Sequence, residues 1–241
     1  MLGLKIANSI TQLGKTGFNI FSLLFVGTDE SVTPASGLRS DISTSTGTIS
    51  FWTRVNTMSS GGTFFKIITA TSDNSINLYY HAGNNEVTVS YKGGGSSTAV
   101  SIPTNIENDG KWHNITVTWD TDEEVNAIKI YLDGTLKETG TELGTFAGAI
   151  TGTSIGNNAA GGSYVKAYMS NFAIFDSVTT VSDIFVDSAS PLDLTGMSGL
   201  IAYYKFDEGV GTTALDSSGK GYDATLINTP AWSTVVPYKA N

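Results

Sequence analysis

The residues that could do chemistry in this sequence are few, and two carboxylates come first. Glu107 and Asp109 stand two positions apart, and a pair of carboxyl groups facing each other can hydrolyse a glycosidic bond. Lys111 and Trp112 follow them, so no third carboxylate stands close behind the pair. We therefore predict that Glu107 and Asp109 belong to a turn before a strand, and that the chain has no catalytic residues.

The histidines and cysteines offer no nucleophilic centre. The chain has no cysteine, which removes thiolate nucleophiles and cysteine-bound zinc. His113 alternates in register with Ile115 and Val117, so we predict a core histidine that is hydrogen-bonded to a backbone or hydroxyl partner. His81 ends a predicted strand beside a glycine turn, where an exposed side chain could contact a ligand. The glycines at 93–95 lack the lysine and the helix of a phosphate-binding loop.

Composition and charge exclude several classes of partner. The formal net charge is −9, which repels phosphate backbones and anionic lipids, so we expect neither nucleic-acid nor membrane binding. Only 15% of the residues are charged while 40% are hydrophobic, so the chain has material for a core and a surface of uncharged polar residues. The 27 glycines and 5 prolines favour tight turns between short strands. The apolar run at 18–26 is interpreted as a core strand, not as a signal peptide or a membrane span.

Elements with a period of two dominate the chain and would position these side chains. Hydrophobic residues alternate with polar ones in segments bounded by turn residues, at 48–55, 75–80, 86–91, 114–119 and 127–132. Asp133-Gly134 follows the last of them and predicts a two-residue hairpin with positive φ at both positions. Only 180–186 has a helical period, so we predict one short helix there. The whole pattern predicts an all-β, two-sheet antiparallel sandwich.

Three segments in chain order carry a resemblance to a known family. They are DGKWHNITVTWD at 109–120, IYLDG at 130–134 and SNFAIFD at 170–176. This succession resembles the laminin-G-like, concanavalin A-like lectin/glucanase jelly rolls, of the short type without a signal peptide seen among phage structural proteins. The resemblance covers roughly residues 20–230 and implies a jelly-roll sandwich. Some relatives are glycoside hydrolases with a Glu-x-Asp-x-x-Glu run, in which Trp112 stands at the last position here.

A block that opens the domain in many of these relatives stands near the end of this chain. It is the segment LIAYYKFDEG at 200–209. The first and last strands of a sandwich are often neighbours, and a circular permutation costs little where the termini are close. We therefore predict an N-terminal arm at 1–19 and one sandwich domain at 20–241, with closing strands at 200–207 and 222–228.

The resemblance also implies sugar binding through exposed aromatic and amide side chains on loops. The candidate ligand-binding residues are Tyr79, His81, Asn84, Asn85, Asn157, Asn158 and Tyr164. The loop at 157–164 could equally be an ordinary connection. Many relatives hold Ca²⁺ with loop carboxylates, and the segments 120–124 and 216–223 are rich in acidic or turn-forming residues. Solvated turns explain both segments as well, so we predict no cofactor and leave calcium unassigned.

Three functions are consistent with these residues. The first is a non-catalytic structural and binding protein of a virion, such as a phage capsid-decoration or tail-associated subunit. Its partners would be other virion subunits, copies of itself and surface glycans. The alternative is a secreted or cell-surface lectin, located outside the cell. The third is a glycoside hydrolase, which the incomplete acidic group at Glu107 and Asp109 disfavours.

Overall fold

Two antiparallel sheets pack face to face in a computed structural model, which describes residues 19–58, 61–71, 73–186 and 190–237. Within these ranges, the strands of sheet 1 are β1 (Ser22–Val26), β3 (Thr46–Val55), β8 (His113–Asp120), β9 (Ile128–Leu132), β10 (Thr135–Gly140), β12 (Lys166–Phe175), β13 (Leu200–Tyr204) and β16 (Ala231–Ser233). They pair in the order β10-β9-β8-β3-β12-β1-β16, and β13 pairs with β12 beyond the end of β1.

Sheet 2 contains the longest run of consecutive hairpins. Its strands in the described part of the chain are β2 (Ser31–Pro34), β4 (Gly62–Thr69), β5 (Ser75–His81), β6 (Glu86–Gly93), β7 (Ser96–Pro103), β11 (Ile150–Ile155), β14 (Thr213–Ala214) and β15 (Ala224–Ile227). They pair in the order β14-β15-β2-β11-β4-β5-β6-β7. The predicted all-β, two-sheet antiparallel jelly-roll sandwich is therefore confirmed.

Two short helices accompany the sheets. The helix expected near 180–186 is present as α2 (Val181–Ile184), and α1 (Leu38–Asp41) was not predicted. Neither is longer than four residues. In the described ranges, no helix is long and apolar enough to cross a membrane.

Alternation along the strands places one face of each sheet in a shared core, and an irregularity in the register of β4 brings both Phe64 and Phe65 inward. Phe51 on β3 lies with its ring centroid 5.2 Å from that of Phe64 and 5.4 Å from that of Phe172, and Phe65 lies 5.3 Å from Phe172. All four rings are fully buried. Because this core fixes which residues point inward, it also fixes which side chains of each strand reach the outer faces.

The segment between β12 and β13 covers part of the outer face of sheet 1. Phe185, directly after α2, lies 5.6 Å from the ring of Trp52 on β3. A second buried cluster forms there from Ala173, Phe175, Ile184, Leu192, Leu194, Leu200 and Tyr203. No such cluster lies on the outer face of sheet 2 among the described residues, so sheet 2 presents the open face of the sandwich.

The chain's closing segment is divided between the two sheets. β13 pairs with the second half of β12, whose first half pairs with β1. β15 extends sheet 2 beside β2, and β16 pairs with β1. The predicted N-terminal arm at 1–19 lies outside the described residues except for Asn19, so the proposed division into arm and domain stays a prediction.

Candidate functional site

The outer face of sheet 2 carries a strip of polar side chains across four strands. Phe65 and Ile67 of β4 enter the core, so Lys66 between them points outward. Lys66 lies opposite Ser154 of β11 on one side and opposite Asn77 of β5 on the other. We call this surface the polar strip, and its members are Lys66, Asn77, Tyr79, Thr88, Ser90 and Ser154.

The two loops predicted to bind ligand meet the polar strip at the start of β4. Thr63 pairs with Tyr79 on one side and with Tyr164 on the other. Adjacent strands lie about 4.8 Å apart, so the backbones of the two tyrosines are about 10 Å apart. The second loop also turns over sheet 2, because a Cβ atom on Gly152 would lie 3.9 Å from Ala159. Two segments far apart in sequence thus border one end of one face.

Three of the predicted asparagines hold these loops in shape. The Oδ1 atom of Asn85 accepts a hydrogen bond of 2.6 Å from the Tyr80 hydroxyl, and its φ is 54°. Asn157 is buried, and its Oδ1 accepts from the Ala159 amide at 2.9 Å. Asn158 accepts from the backbone two residues on at 3.2 Å. Such side-chain to backbone bonds are typical of turns, so these acceptor atoms are already used by the fold.

The remaining predicted residues present groups to the surface. His81 and Asn84 are exposed, and Asn84 donates to a Glu86 carboxylate oxygen at 3.2 Å. Tyr79 is partly buried and lies within β5, as the alternation at 75–80 predicted, and not on the loop that follows. Tyr164 lines a cavity of about 440 Å³ together with Lys166 and Gly61. Tyr79 and Tyr164 are therefore the aromatic surfaces that this end of the sandwich offers to a ligand.

Five of the six members of the polar strip were missed in the sequence, and two of these, Lys66 and Asn77, have unusual surroundings. Lys66 is partly buried, and this burial lowers the pKa of its ammonium group below the ordinary value. The Oδ1 atom of Asn77 is buried and has no hydrogen-bond partner among the described residues. The segment TFFKIIT at 63–69 alternates around Lys66, and that period of two could have placed the lysine on an outer face.

Glu107 and Asp109, the two carboxylates considered for hydrolysis, both make hydrogen bonds that stabilise the fold. Glu107 accepts hydrogen bonds from the Met58 amide at 2.7 Å and from the Tyr80 hydroxyl at 3.0 Å. Burial, with help from Glu107, raises the pKa of Tyr80 well above its ordinary value. Asp109 accepts from the Lys111 amide at 2.8 Å and lies 2.9 Å from His113 Nε2. The two carboxylates thus stabilise different loops and share no hydrogen-bond donor.

The predicted environment of His113 is wrong. Its partners are two carboxylates, Asp133 at 2.8 Å from Nδ1 and Asp109 at 2.9 Å from Nε2, and its side chain keeps 14% exposure. Burial lowers the pKa of His113, but the hydrogen bonds and negative charges of the two aspartates outweigh burial and raise that pKa overall. The alternation predicted the correct face of β8 for His113. It could not predict Asp109 and Asp133 as its partners, because they come from two separate turns.

Replacing His113 with Gln is expected to destabilise the protein more at pH 5.5 than at pH 8.5. A raised pKa means that the folded state holds the proton more tightly than the unfolded state. This stabilisation is complete below the unfolded value of about 6.5 and is lost as the pH rises through the raised value. We expect a loss of about 1–3 kcal/mol at pH 5.5, measured by urea unfolding.

His81→Gln is the matched control for this measurement. His81 is exposed at the end of β5, so its replacement should change the free energy of unfolding by less than about 0.5 kcal/mol at both pH values. An equal loss for the His113 variant at pH 5.5 and pH 8.5 would show that its charge does not stabilise the fold.

The two acidic segments considered for calcium form turns. Asp216 accepts from the amides of Tyr203, Ser218 and Tyr222 at 3.0, 2.9 and 2.9 Å. Asp120 accepts from the Asp122 amide at 3.0 Å. In the part of the chain that the structure describes, no group of three or more His, Asp or Glu side chains is arranged to hold a metal ion. These carboxylates are therefore accounted for as turn-forming acceptors.

Comparison of the sequence with family models shows which family the chain resembles. The laminin-G-type model of the concanavalin A-like lectin/glucanases superfamily matches residues 26–185, which is more than half of the chain. No curated protein matches the sequence.

Several solved structures share the fold. A Bacteroides ovatus ATCC 8483 protein whose proposed role is carbohydrate binding has a TM-score of 0.62 at 18% identity, over 92% of this chain and 62% of that one. The NanB sialidase of Streptococcus pneumoniae has a TM-score of 0.56 at 13% identity, over 74% of this chain and 28% of that one. The CBM40 module of the Ruminococcus gnavus IT-sialidase has a TM-score of 0.50 at 12% identity, over 68% and 98%. This chain thus spans less than two thirds of the first two proteins.

Proposed function

Since the chain belongs to the concanavalin A-like lectin/glucanase superfamily, we propose that it is a non-catalytic module that binds glycans. The observation that carries the proposal is the meeting of Tyr79 and Tyr164 on either side of Thr63, at the end of the polar strip. An aromatic ring can pack against the apolar face of a sugar, while amide, hydroxyl and ammonium groups beside it bond the sugar hydroxyls.

Two of the related structures support the same proposal. One is a Bacteroides ovatus protein whose proposed role is carbohydrate binding, and another is a module of a sialidase. Both share the fold at less than 25% identity, so they support the class of ligand and give no residues. The binding surface is therefore argued from the side chains of this chain alone.

Replacing Tyr79 or Tyr164 with Ala is expected to weaken glycan binding about 10-fold or more, since truncating an aromatic hot spot costs about 2 kcal/mol or more and about 1.4 kcal/mol is a 10-fold change. The wild-type protein is first screened on a glycan array. The dissociation constant of the strongest ligand is then measured by titration calorimetry for each variant.

Tyr131→Ala is the control for both substitutions. Tyr131 is also partly buried on a strand, but it lies on β9 in sheet 1, away from the polar strip. The Tyr131→Ala variant should bind the ligand with wild-type affinity. Unchanged affinity in the Tyr79 and Tyr164 variants, or no saturable binding to any glycan, would reject the proposal.

The absence of catalysis is part of the proposal and has its own support. Glu107 and Asp109 are engaged in separate hydrogen bonds that hold loops, as described above. Incubating the protein with the glycan it binds should release no new reducing ends. Their release, lost on Glu107→Gln, would instead assign a hydrolase.

We further propose that the module is displayed on a virion, as a capsid-decoration or tail-associated protein, alone or as a homo-oligomer. What supports this setting is the sequence resemblance and a cysteine-free chain with few charges. The alternative setting is a secreted or cell-surface lectin. Mass spectrometry of purified particles tests the two, because a virion protein is present at a copy number that matches a capsid or tail symmetry.

A further inference from the structure

Lys66, in the middle of the polar strip, has no counter-ion among the described residues. Its register neighbours Ser154 and Asn77 are uncharged, and no carboxylate of the described residues forms an ion pair with it. A partly buried ammonium group loses hydration and is usually compensated by an anion. The chain has 22 acidic residues against 13 basic ones, so the lack of an acid here is notable. An anion from outside the chain would supply the missing charge.

Asn77, directly beside Lys66 in the strand register, also lacks a partner among the described residues. Its Oδ1 atom is buried and accepts no hydrogen bond from the described residues. A buried polar atom without a partner costs about 1–3 kcal/mol, so such atoms are uncommon unless a ligand or water completes them. Because Oδ1 makes no hydrogen bond where it is buried, turning the Asn77 amide to bring this atom to the surface breaks none of its bonds. The strip therefore pairs Lys66, which needs an acceptor, with Asn77, whose Oδ1 needs a donor.

We infer that the polar strip binds a glycan that carries a carboxylate, with Lys66 donating to the carboxylate and the Asn77 side-chain amide turning so that its Oδ1 accepts from a ring hydroxyl. This inference deepens the proposed glycan binding and rests on it. A sugar acid presents both groups a few bonds apart, which matches the adjacent positions of Lys66 and Asn77 in the strand register. Tyr79, two residues along β5 on the same face, would pack against the sugar ring.

A carboxylate fits this site better than a neutral sugar. A neutral hydroxyl would accept a hydrogen bond from Lys66 but would leave its positive charge without a counter-ion, whereas a carboxylate both accepts the hydrogen bond and supplies the opposite charge. The net charge of −9 repels long acidic polymers. Because salt screens this repulsion over about 10 Å, we expect Lys66 and Asn77 to bind short acidic sugars or the ends of chains.

The test uses the full chain on an array of uronate- and sialate-containing oligosaccharides, each beside its carboxyl-reduced form and a sulfated neutral form. The wild-type protein should bind an acidic glycan at least about 10-fold more tightly than its carboxyl-reduced form, which corresponds to about 1.4 kcal/mol. Lys66→Met should lose this preference and bind both forms equally weakly. Asn77→Asp, of nearly the same shape, should also weaken the acidic glycan, because it places a negative charge beside the ligand.

Lys129→Met is the control, because Lys129 is a partly buried strand lysine on sheet 1. Thermal unfolding of each variant shows whether it is folded, and Lys66→Arg should retain the preference if Lys66→Met does not fold. Equal binding of acidic and reduced forms by the wild type, binding only to sulfated forms, or wild-type affinity in Lys66→Met would each overturn this inference while glycan binding stands. Failure of the wild type to bind any glycan would instead reject the proposed function itself.

Discussion

A fragment that stops at Val186 is expected to be unfolded, although it contains every residue that the family model matches. All five residues of β13 are buried, and Phe206 after it is fully buried in the main core. Without β13, half of one edge of β12 loses its partner, and without β15 the outer edge of β2 does. Each large apolar side chain of this segment contributes about 1.5–3 kcal/mol, and a whole domain is stable by only about 5–15 kcal/mol. Circular dichroism should show no cooperative thermal transition.

A circular permutant is the matched control for this fragment. β16 pairs with β1, and the Ser22 hydroxyl donates to the Val235 carbonyl at 2.6 Å, so the end of the described chain lies beside its start. Joining Asn241 to Met1 and opening the chain between Val186 and Ser190 retains every strand. This permutant should unfold cooperatively. A folded fragment would show that the closing segment is an appendage, and an unfolded permutant would contradict the proximity of the two ends.

Local patterns were sufficient to predict most of the fold. The Asp133-Gly134 hairpin needs positive φ at both positions, and their φ values are 50° and 71°. The strands around it alternate in hydrophobicity, so each one's buried face follows from its own sequence. The helix α1 was missed because Leu38 is its one apolar residue, so it shows no apolar stripe, whereas Val181 and Ile184 of the equally short α2 share one.

The candidate site was predicted only in part, because its geometry depends on pairing between distant segments. Tyr79 and Tyr164 could each be chosen as an aromatic residue near glycines, but only Thr63 pairing with both brings them together. The need of Asn77 for a hydrogen bond depends on which atoms pack around it, and a sequence pattern does not contain that information. For the same reason the two aspartates beside His113 could not be foreseen.

Replacing Gly47 with Ala is expected to destabilise the fold by about 3 kcal/mol, the upper end of the range for overpacking a core. Gly47 on β3 lies opposite Trp119 on β8, and a Cβ atom at Gly47 would lie 2.1 Å from Cζ2 of the indole ring. Trp119 is only 1% exposed, so its ring has no room to withdraw. Urea unfolding followed by circular dichroism measures the change in the free energy of unfolding.

A double-mutant cycle with Trp119→Leu separates this clash from any effect of alanine on the strand itself. Removing the indole removes the ring atoms that the new Cβ would meet, so Gly47→Ala should cost little in the Trp119→Leu background, with a coupling of about 1–3 kcal/mol. Gly83→Ala controls for the loss of a glycine, because its Cβ would meet nothing closer than 3.4 Å. A strictly additive cycle would mean that the ring adjusts freely. Strong coupling would instead show that Trp119 packs in the core because Gly47 on β3 has no side chain.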